Sequence, residues 1–346
     1  MTEAARSEPD VNRVHMTKQD YEGSPSTMCK GCGHDAITAS IITACYESSI
    51  DPRRVIKLSG IGCSSKTTNY FMNQSFGFNS THGRMAALAT GAAMANHTMI
   101  PIGVSGDGDT ASIGLGNFAH MVRRNLRITY IVENNGVYGL TKGQFSATAD
   151  KGSKAKKGWV NPWPAIDLAT LAITMGATFV ARSFSGDRKQ LAPLIQAALN
   201  HNGTAVLDVL SPCVTFNNHE GSTKSLKNIR DAKDDLNEIG FIPEFEQITA
   251  DYKEGSDLRV RMHDGGTVTL HKLKDHDPTD RDQALNVVEQ GARAGKFVTG
   301  LIYLDEQNED FAARELLGKT PLAYLGEPDL RPSAEALARI NQSFMK

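Results

Sequence analysis

Short, mostly apolar runs recur through the middle of the chain: Val55 to Leu58, Met99 to Val104, Ile128 to Val132, Thr178 to Ala181 and Thr204 to Leu210. Runs of this length bounded by turn residues read as buried strands. Between them lie segments with helical spacing. Asp35 to Ser48 places Ile37, Ile41, Ala44 and Cys45 on one face, and Met85 to Asn96 is rich in Ala and Gly. Another helix starts near Ala111, and Asp167 to Met175 and Asp187 to Leu199 complete the set. The repeated strand-then-helix order predicts an α/β fold with a doubly wound, mostly parallel sheet of five or six strands.

The flanking regions follow other patterns. Residues 1–27 carry Pro9, Pro25 and many small polar side chains, and read as an N-terminal arm. Thr141 to Trp163 lacks periodicity and reads as a long loop whose Lys151, Lys154, Lys156 and Lys157 form a solvated face. After about Asn228 charged residues dominate, so the expected division is a main domain at 28–228 and a C-terminal α+β extension at 229–346. In the extension, Arg259 to Met262 and Thr267 to Leu270 flank His263-Asp264-Gly265-Gly266 as a hairpin. Asp282 to Arg293 reads as a helix, Phe297 to Leu304 as a strand and Ser333 to Phe344 as a terminal helix. Packing or partner contact is the expected role of this region.

Composition narrows the class. At 346 residues the chain supports a substantial core, and a net charge of −2 argues against nucleic-acid binding through a basic surface. No apolar stretch reaches spanning length and the N-terminus lacks a signal-peptide core, so a cytoplasmic protein without membrane contact is expected. In that setting the five cysteines are metal ligands, reactive thiols or core residues rather than disulfides.

The candidate chemistry begins where two expected strands end. Met99 to Val104 runs into Gly106-Asp107-Gly108-Asp109, and Ile128 to Val132 into Asn134-Asn135-Gly136. One βαβ unit puts both tips at the carboxyl edge of the sheet, where open α/β sheets bind ligands. Mg²⁺ takes oxygen ligands, commonly one or two carboxylates plus phosphate oxygens. Asp107 can supply the charge, Asn135 a side-chain oxygen and Val137 a carbonyl. Gly106 and Gly108 let backbone approach phosphate, and the following helix adds N-terminal amides. The 25 residues between the two tips match one helical crossover and resemble the G-D-G…N-N signature of thiamine-diphosphate enzymes.

Cys29, Cys32, Cys63 and Cys213 all sit where the chain turns, whereas Cys45 lies in an apolar helix and reads as core. Structural zinc usually takes two closely spaced ligand pairs, so one C-x-x-C with two isolated cysteines suits a [4Fe–4S] cube better. Unrelated core or turn cysteines beside one redox pair are the bland alternative.

The series C-K-G-C-G-H, I-G-C-S-S-K, T-H-G-R, G-D-G-D, N-N-x-x-Y-G-L-T-K-G-Q and S-P-C, from about residue 21 to 225, resembles the β subunit of two-subunit 2-oxoacid:ferredoxin oxidoreductases. The resemblance implies that Cys29, Cys32, Cys63 and Cys213 hold one [4Fe–4S] cluster. It implies that Asp107, Asn135 and the Val137 carbonyl bind Mg²⁺. Ile61, Gly62, Cys63, Ser64, Gly108, Asp109, Gly139 and Leu140 would line thiamine diphosphate. The implied reaction is oxidative decarboxylation of a 2-oxoacid, with coenzyme A taking the acyl group and electrons passing singly to ferredoxin. An α subunit would supply the glutamate that activates the cofactor, in an αβ unit that is itself doubled.

His82 and Lys66 are candidate catalytic residues, for substrate or diphosphate contact. Their ordinary readings are a helix cap and a surface lysine. Lys142 in L-T-K-G-Q resembles the branch acting on larger 2-oxoacids, and 2-oxoglutarate is the expected substrate, with pyruvate or a broad range as the alternative. A non-oxidative thiamine-diphosphate carboligase would not need four loop cysteines. A non-catalytic iron–sulfur electron carrier would not need the metal–diphosphate constellation.

Overall fold

The structure, a computed structural model, describes residues 10–153, 158–216, 247–261 and 267–345. The first nine residues of the arm, Lys154, Lys156 and Lys157, most of the charged stretch after Asn228, and residues 262–266 between the two expected hairpin strands lie outside the described residues.

In chain order the elements are α1 (Gly33–Glu47), β1 (Val55–Ser59), β2 (Phe76–Asn79), α2 (Met85–Ala95), β3 (Ile100–Gly106), α3 (Leu115–Arg123), β4 (Ile128–Asn134) and the two-residue strands β5 (Val137–Tyr138) and β6 (Gln144–Phe145). There follow α4 (Leu168–Met175), β7 (Phe179–Phe184), α5 (Arg188–Asn200), β8 (Thr204–Leu210), β9 (Asp257–Arg261), β10 (Thr267–Lys272), α6 (Arg281–Arg293), β11 (Lys296–Leu304), α7 (Phe311–Arg314), α8 (Glu327–Leu330) and α9 (Ala334–Ser343).

Among the described residues nine strands form one sheet in the order β2-β1-β3-β4-β8-β7-β11-β10-β9. The first six are mutually parallel, so their carboxyl ends share one edge. The expected strands of the main domain are all present. The six parallel strands match the five or six expected, the sixth being β2, a four-residue Phe-Gly-Phe-Asn run with every residue exposed that was not read as a strand. Strands after residue 247 extend the same sheet, with β11 antiparallel to β7.

Burial on both faces explains the apolar runs. Neighbouring residues serve opposite layers: Val55 and Ile131 pack on the α1 and α5 side, Ile56 and Val132 on the side of α2, α3, α4 and α6. Each fully buried side chain of this size stabilises by roughly 1.5–3 kcal/mol. Cys45 is fully buried in the α1 layer, as a core residue. The arm residues that are described drape over this layer, where the buried Tyr21 donates its hydroxyl to the Ile50 carbonyl at 2.7 Å.

The reversed strands place the extension beside the ligand edge. Gly300 pairs with Arg182 of β7, so Lys296 and Phe297 reach past the last residue of that strand. β10 and β9 pair alongside this overhang, and Leu258, Val260, Val268 and Leu270 form a small core with Phe184 and Leu210. No described helix is long and apolar enough to cross a membrane.

Candidate functional site

The ends of β1, β3 and β4 surround a cavity of about 230 Å³. Its wall includes Ile61 to Ser64, Gly106 to Asp109, Asn135 and Val137 to Thr141. Close approach of these loops depends on missing side chains. A Cβ on Gly60 would come within 2.3 Å of Ser105 Oγ, and one on Gly108 within 2.6 Å of the Tyr138 ring. The Tyr138 hydroxyl in turn donates to the Gly108 carbonyl at 3.0 Å, fixing the N-N-G-V-Y loop to the G-D-G turn.

After Asp107 the chain enters a π-helical turn, Gly108–Ile113, before α3. Such turns are frequent at functional sites. Here it carries Asp109 inward, where Oδ1 accepts the Gly83 N–H at 2.7 Å and Oδ2 the Ser105 hydroxyl at 3.1 Å. Asp109 borders the cavity, but both its oxygens brace the T-H-G-R loop against β3.

Asp107 is 1% exposed. Its Oδ1 accepts the Asn135 N–H at 3.3 Å, and the Asn135 side-chain oxygen accepts the Val137 N–H at 3.1 Å. Its Oδ2 accepts the Thr148 hydroxyl at 2.7 Å and the Ser146 hydroxyl as well. Ser146 and Thr148 come from the loop that sequence reading left without detail. No local motif connects them to a residue some forty positions earlier.

The cavity wall also includes a buried polar pair, Glu133 and His34, whose meeting sequence reading missed. Glu133, at the end of β4, is fully buried, and burial raises its carboxyl well above the ordinary value. The Thr67 hydroxyl donates to it at 2.9 Å. His34 Nδ1 stands 3.5 Å away, and burial lowers that imidazole to about 4. Burial disfavours the charged form of both groups, and with His34 lowered to about 4 the imidazole is uncharged at pH 7, so their contact is not an ion pair. His34 bonds instead to Ser211 Oγ at 2.6 Å.

That bond helps bring the cysteine loops together. A Cβ on Gly33 would lie within 2.9 Å of Ser211, Ser185 and Pro212, so only glycine lets the start of α1 approach the end of β8. Cys63 and Cys213 both face Gly139, their sulfurs 3.5 and 3.8 Å from where its Cβ would be. The Phe216 N–H donates to Cys213 Sγ at 3.4 Å, and the Thr215 hydroxyl to Cys29 Sγ at 3.8 Å. Burial, with the nearby Cys213, pushes both the Cys32 and Cys63 thiols up. Protonated thiols are what such a pocket holds until a cation displaces the protons. As placed, no three His, Cys, Asp or Glu among the described residues form a ready metal-ligating group.

His82 lines the cavity; Lys66, in the 3₁₀ turn Ser64–Asn69, does not. Ser64 Oγ is buried in the cavity wall without a partner among the described residues. A hydroxyl so placed is satisfied by a ligand oxygen, and the glycine-rich approach to it suits a phosphate. A second cavity, about 480 Å³, lies where the sheet reverses, walled by Thr148, Asn134, Arg182, Asp208, Arg259 and Lys296, among others.

Residues 60–209 match the family model described as thiamine pyrophosphate enzyme, C-terminal TPP binding domain. Over 193 residues the chain is 46% identical to 2-oxoacid:ferredoxin oxidoreductase 1, subunit beta, of Aeropyrum pernix, covering 56% of this chain and 60% of that one. Over 196 residues it is 38% identical to the 2-oxoglutarate synthase subunit KorB of Methanocaldococcus jannaschii, covering 56% of this chain and 71% of that one. The matched stretch thus spans about three fifths of the Aeropyrum relative. A solved structure of 2-oxoglutarate:ferredoxin oxidoreductase from Magnetococcus marinus, with 2-oxoglutarate, coenzyme A and succinyl-CoA bound, is similar at 30% identity and a TM-score of 0.69, covering 92% of this chain and 97% of that one.

Proposed function

The chain belongs to the family of 2-oxoacid:ferredoxin oxidoreductase β subunits, and from that premise we propose that it holds thiamine diphosphate, Mg²⁺ and one [4Fe–4S] cluster in such an enzyme. The carrying observation is the convergence of Ile61 to Ser64, Asp107 to Asp109 and Val137 to Leu140 on one cavity whose wall includes Cys63. In this reading Asp107, the Asn135 side chain and the Val137 carbonyl hold Mg²⁺, while Ser64 and the backbone around Gly108 receive the diphosphate. Asp109 keeps the Gly83 loop in place. Cys29, Cys32, Cys63 and Cys213 hold the cluster; the proximity of Cys63, Cys213 and Gly139 supports this assignment.

Bound thiamine diphosphate would supply the carbanion chemistry by which a 2-oxoacid loses carbon dioxide. The chain's own part is to fix that cofactor, wall its cavity with the buried Glu133 and His34, and offer His82 toward substrate. The proposed net reaction converts 2-oxoglutarate and coenzyme A to succinyl-CoA and carbon dioxide, its two electrons passing singly to ferredoxin. The likeness to KorB and to the Magnetococcus enzyme favours that substrate over pyruvate. The partner is an α subunit.

The test is a panel of 2-oxoacids assayed anaerobically with the αβ complex, coenzyme A and ferredoxin. Preference for 2-oxoglutarate supports the reading, and equal turnover of pyruvate replaces it with a broad-specificity enzyme. Lys66→Ala should cost on the order of 2–3 kcal/mol for 2-oxoglutarate alone if Lys66 reads the distal carboxylate. Unchanged turnover of both acids returns it to the surface, as its place outside the cavity wall favours.

A further inference from the structure

A buried aspartate that offers one oxygen to a cation needs its other oxygen held, because the carboxylate torsion is broad and two-fold. Asp107 is placed in this way. Oδ1 is turned to Asn135, and Oδ2 receives two hydroxyls, from Ser146 and from Thr148 at 2.7 Å. We infer that Ser146 and Thr148 are positioning residues for the metal, holding Oδ2 so that Oδ1 is the oxygen presented to Mg²⁺. The inference rests on the proposed role of Asp107 as a Mg²⁺ ligand.

The two hydroxyls sit on a segment that is itself tied down. The Ser146 N–H donates to the Gly136 carbonyl at 3.1 Å, the Ala147 N–H to Ser112 Oγ at 3.0 Å, and the Ile166 N–H to the Ala147 carbonyl at 2.7 Å. These bonds staple the loop to the N-N-G turn, the π-helical turn and the approach to α4 at once. A loop needed only to cover the sheet edge has no reason to be pinned to both candidate ligand turns.

Thr148 is also a junction. Its Oγ1 also lies 3.0 Å from Asn134 Oδ1, an alternative acceptor for the single proton it gives to Asp107, and Asn134 Nδ2 donates to Asp208 at 2.9 Å. Asp208 accepts from Arg182 at 3.0 Å, and Arg182 reaches Asp167, the N-cap of α4, at 2.8 Å. A polar chain therefore crosses the carboxyl ends of β3, β4, β8 and β7, from the metal ligand to a buried arginine. Its far end cannot move without leaving charge unpaired. Groups that hold a ligating carboxylate in this manner are typically worth 10–100-fold in metal affinity.

The test titrates the full chain with Mn²⁺, standing in for Mg²⁺, at saturating thiamine diphosphate, with free Mn²⁺ read by electron paramagnetic resonance. Thr148→Val should bind Mn²⁺ about tenfold more weakly, while Thr148→Ser, which restores the hydroxyl, should stay within roughly twofold of the parent. Asp107→Ala should lose saturable binding. If Asp107→Ala loses binding and Thr148→Val does not, the positioning inference is wrong and the metal assignment stands. Equal weakening of the Val and Ser variants also overturns it, because the hydroxyl is then irrelevant. If Asp107→Ala binds as the parent does, the metal assignment itself fails. Should circular dichroism show Thr148→Val unfolded, Ser146→Ala carries the same expectation and the same refutation.

Discussion

Glu133 shows burial deciding a side chain's chemical state. With no exposure, one hydroxyl donor and a neutral histidine beside it, its carboxyl is pushed toward the protonated form. An amide of the same shape should then replace it cheaply. Glu133→Gln is expected to shift stability by less than about 1 kcal/mol at pH 7, whereas Glu133→Leu, which strands the Thr67 hydroxyl, should cost about 1–3 kcal/mol. Denaturant midpoints measure both, and a large loss in the Gln variant would mean that the group is charged. On the cluster reading, Cys63→Ala should abolish iron in anaerobically purified protein, whereas the core residue Cys45 should tolerate Ala with iron intact; iron analysis separates the two. The meeting of the Asp107, Asn135 and Cys63 loops on one cavity was legible because each stands in a short motif at the end of a strand. Glu133, Thr148 and Ser146 were not, because their roles exist only through partners brought close by the fold.

Lys57 lies in the middle of β1, nearly all of its surface buried, with Nζ donating to the Phe71 carbonyl at 2.7 Å and 5.2 Å from that ring. Burial lowers it to about 8 from 10.5. Between those values the unfolded chain binds more protons than the folded one, so stability gains from this group as pH rises and loses as pH falls through about 8. Lys57→Met should remove that alkaline gain while leaving the sheet intact, and thermal midpoints between pH 7 and pH 10 read the difference. A lysine inside an otherwise apolar run did not obscure the strand. What escaped the hydrophobic pattern was β2, whose four residues are all exposed, and the pairing of β11 with β7, since pattern predicts strands but not their neighbours.

For the whole molecule, the cavity is open on one side and rimmed by exposed apolar residues, Ile113 and Leu140 among them. If the α subunit supplies the group that activates the cofactor, this chain should bind thiamine diphosphate without turning substrate over. The isolated chain is therefore expected to show no 2-oxoacid-dependent dye reduction until the α subunit is added, and activity of the chain by itself would refute the αβ site. The reversed strand β11 has a further consequence, in the order of synthesis. The six parallel strands are complete by Leu210, yet β7, buried along its whole length, receives its last neighbour from residues 296–304. A chain growing from its N-terminus thus presents β7 as a bare edge, a template for intermolecular pairing, until about ninety more residues have been made. Chains stopped before β11 should collect in the insoluble fraction, and the C-terminal third serves, among its other contacts, as the segment that ends that exposure.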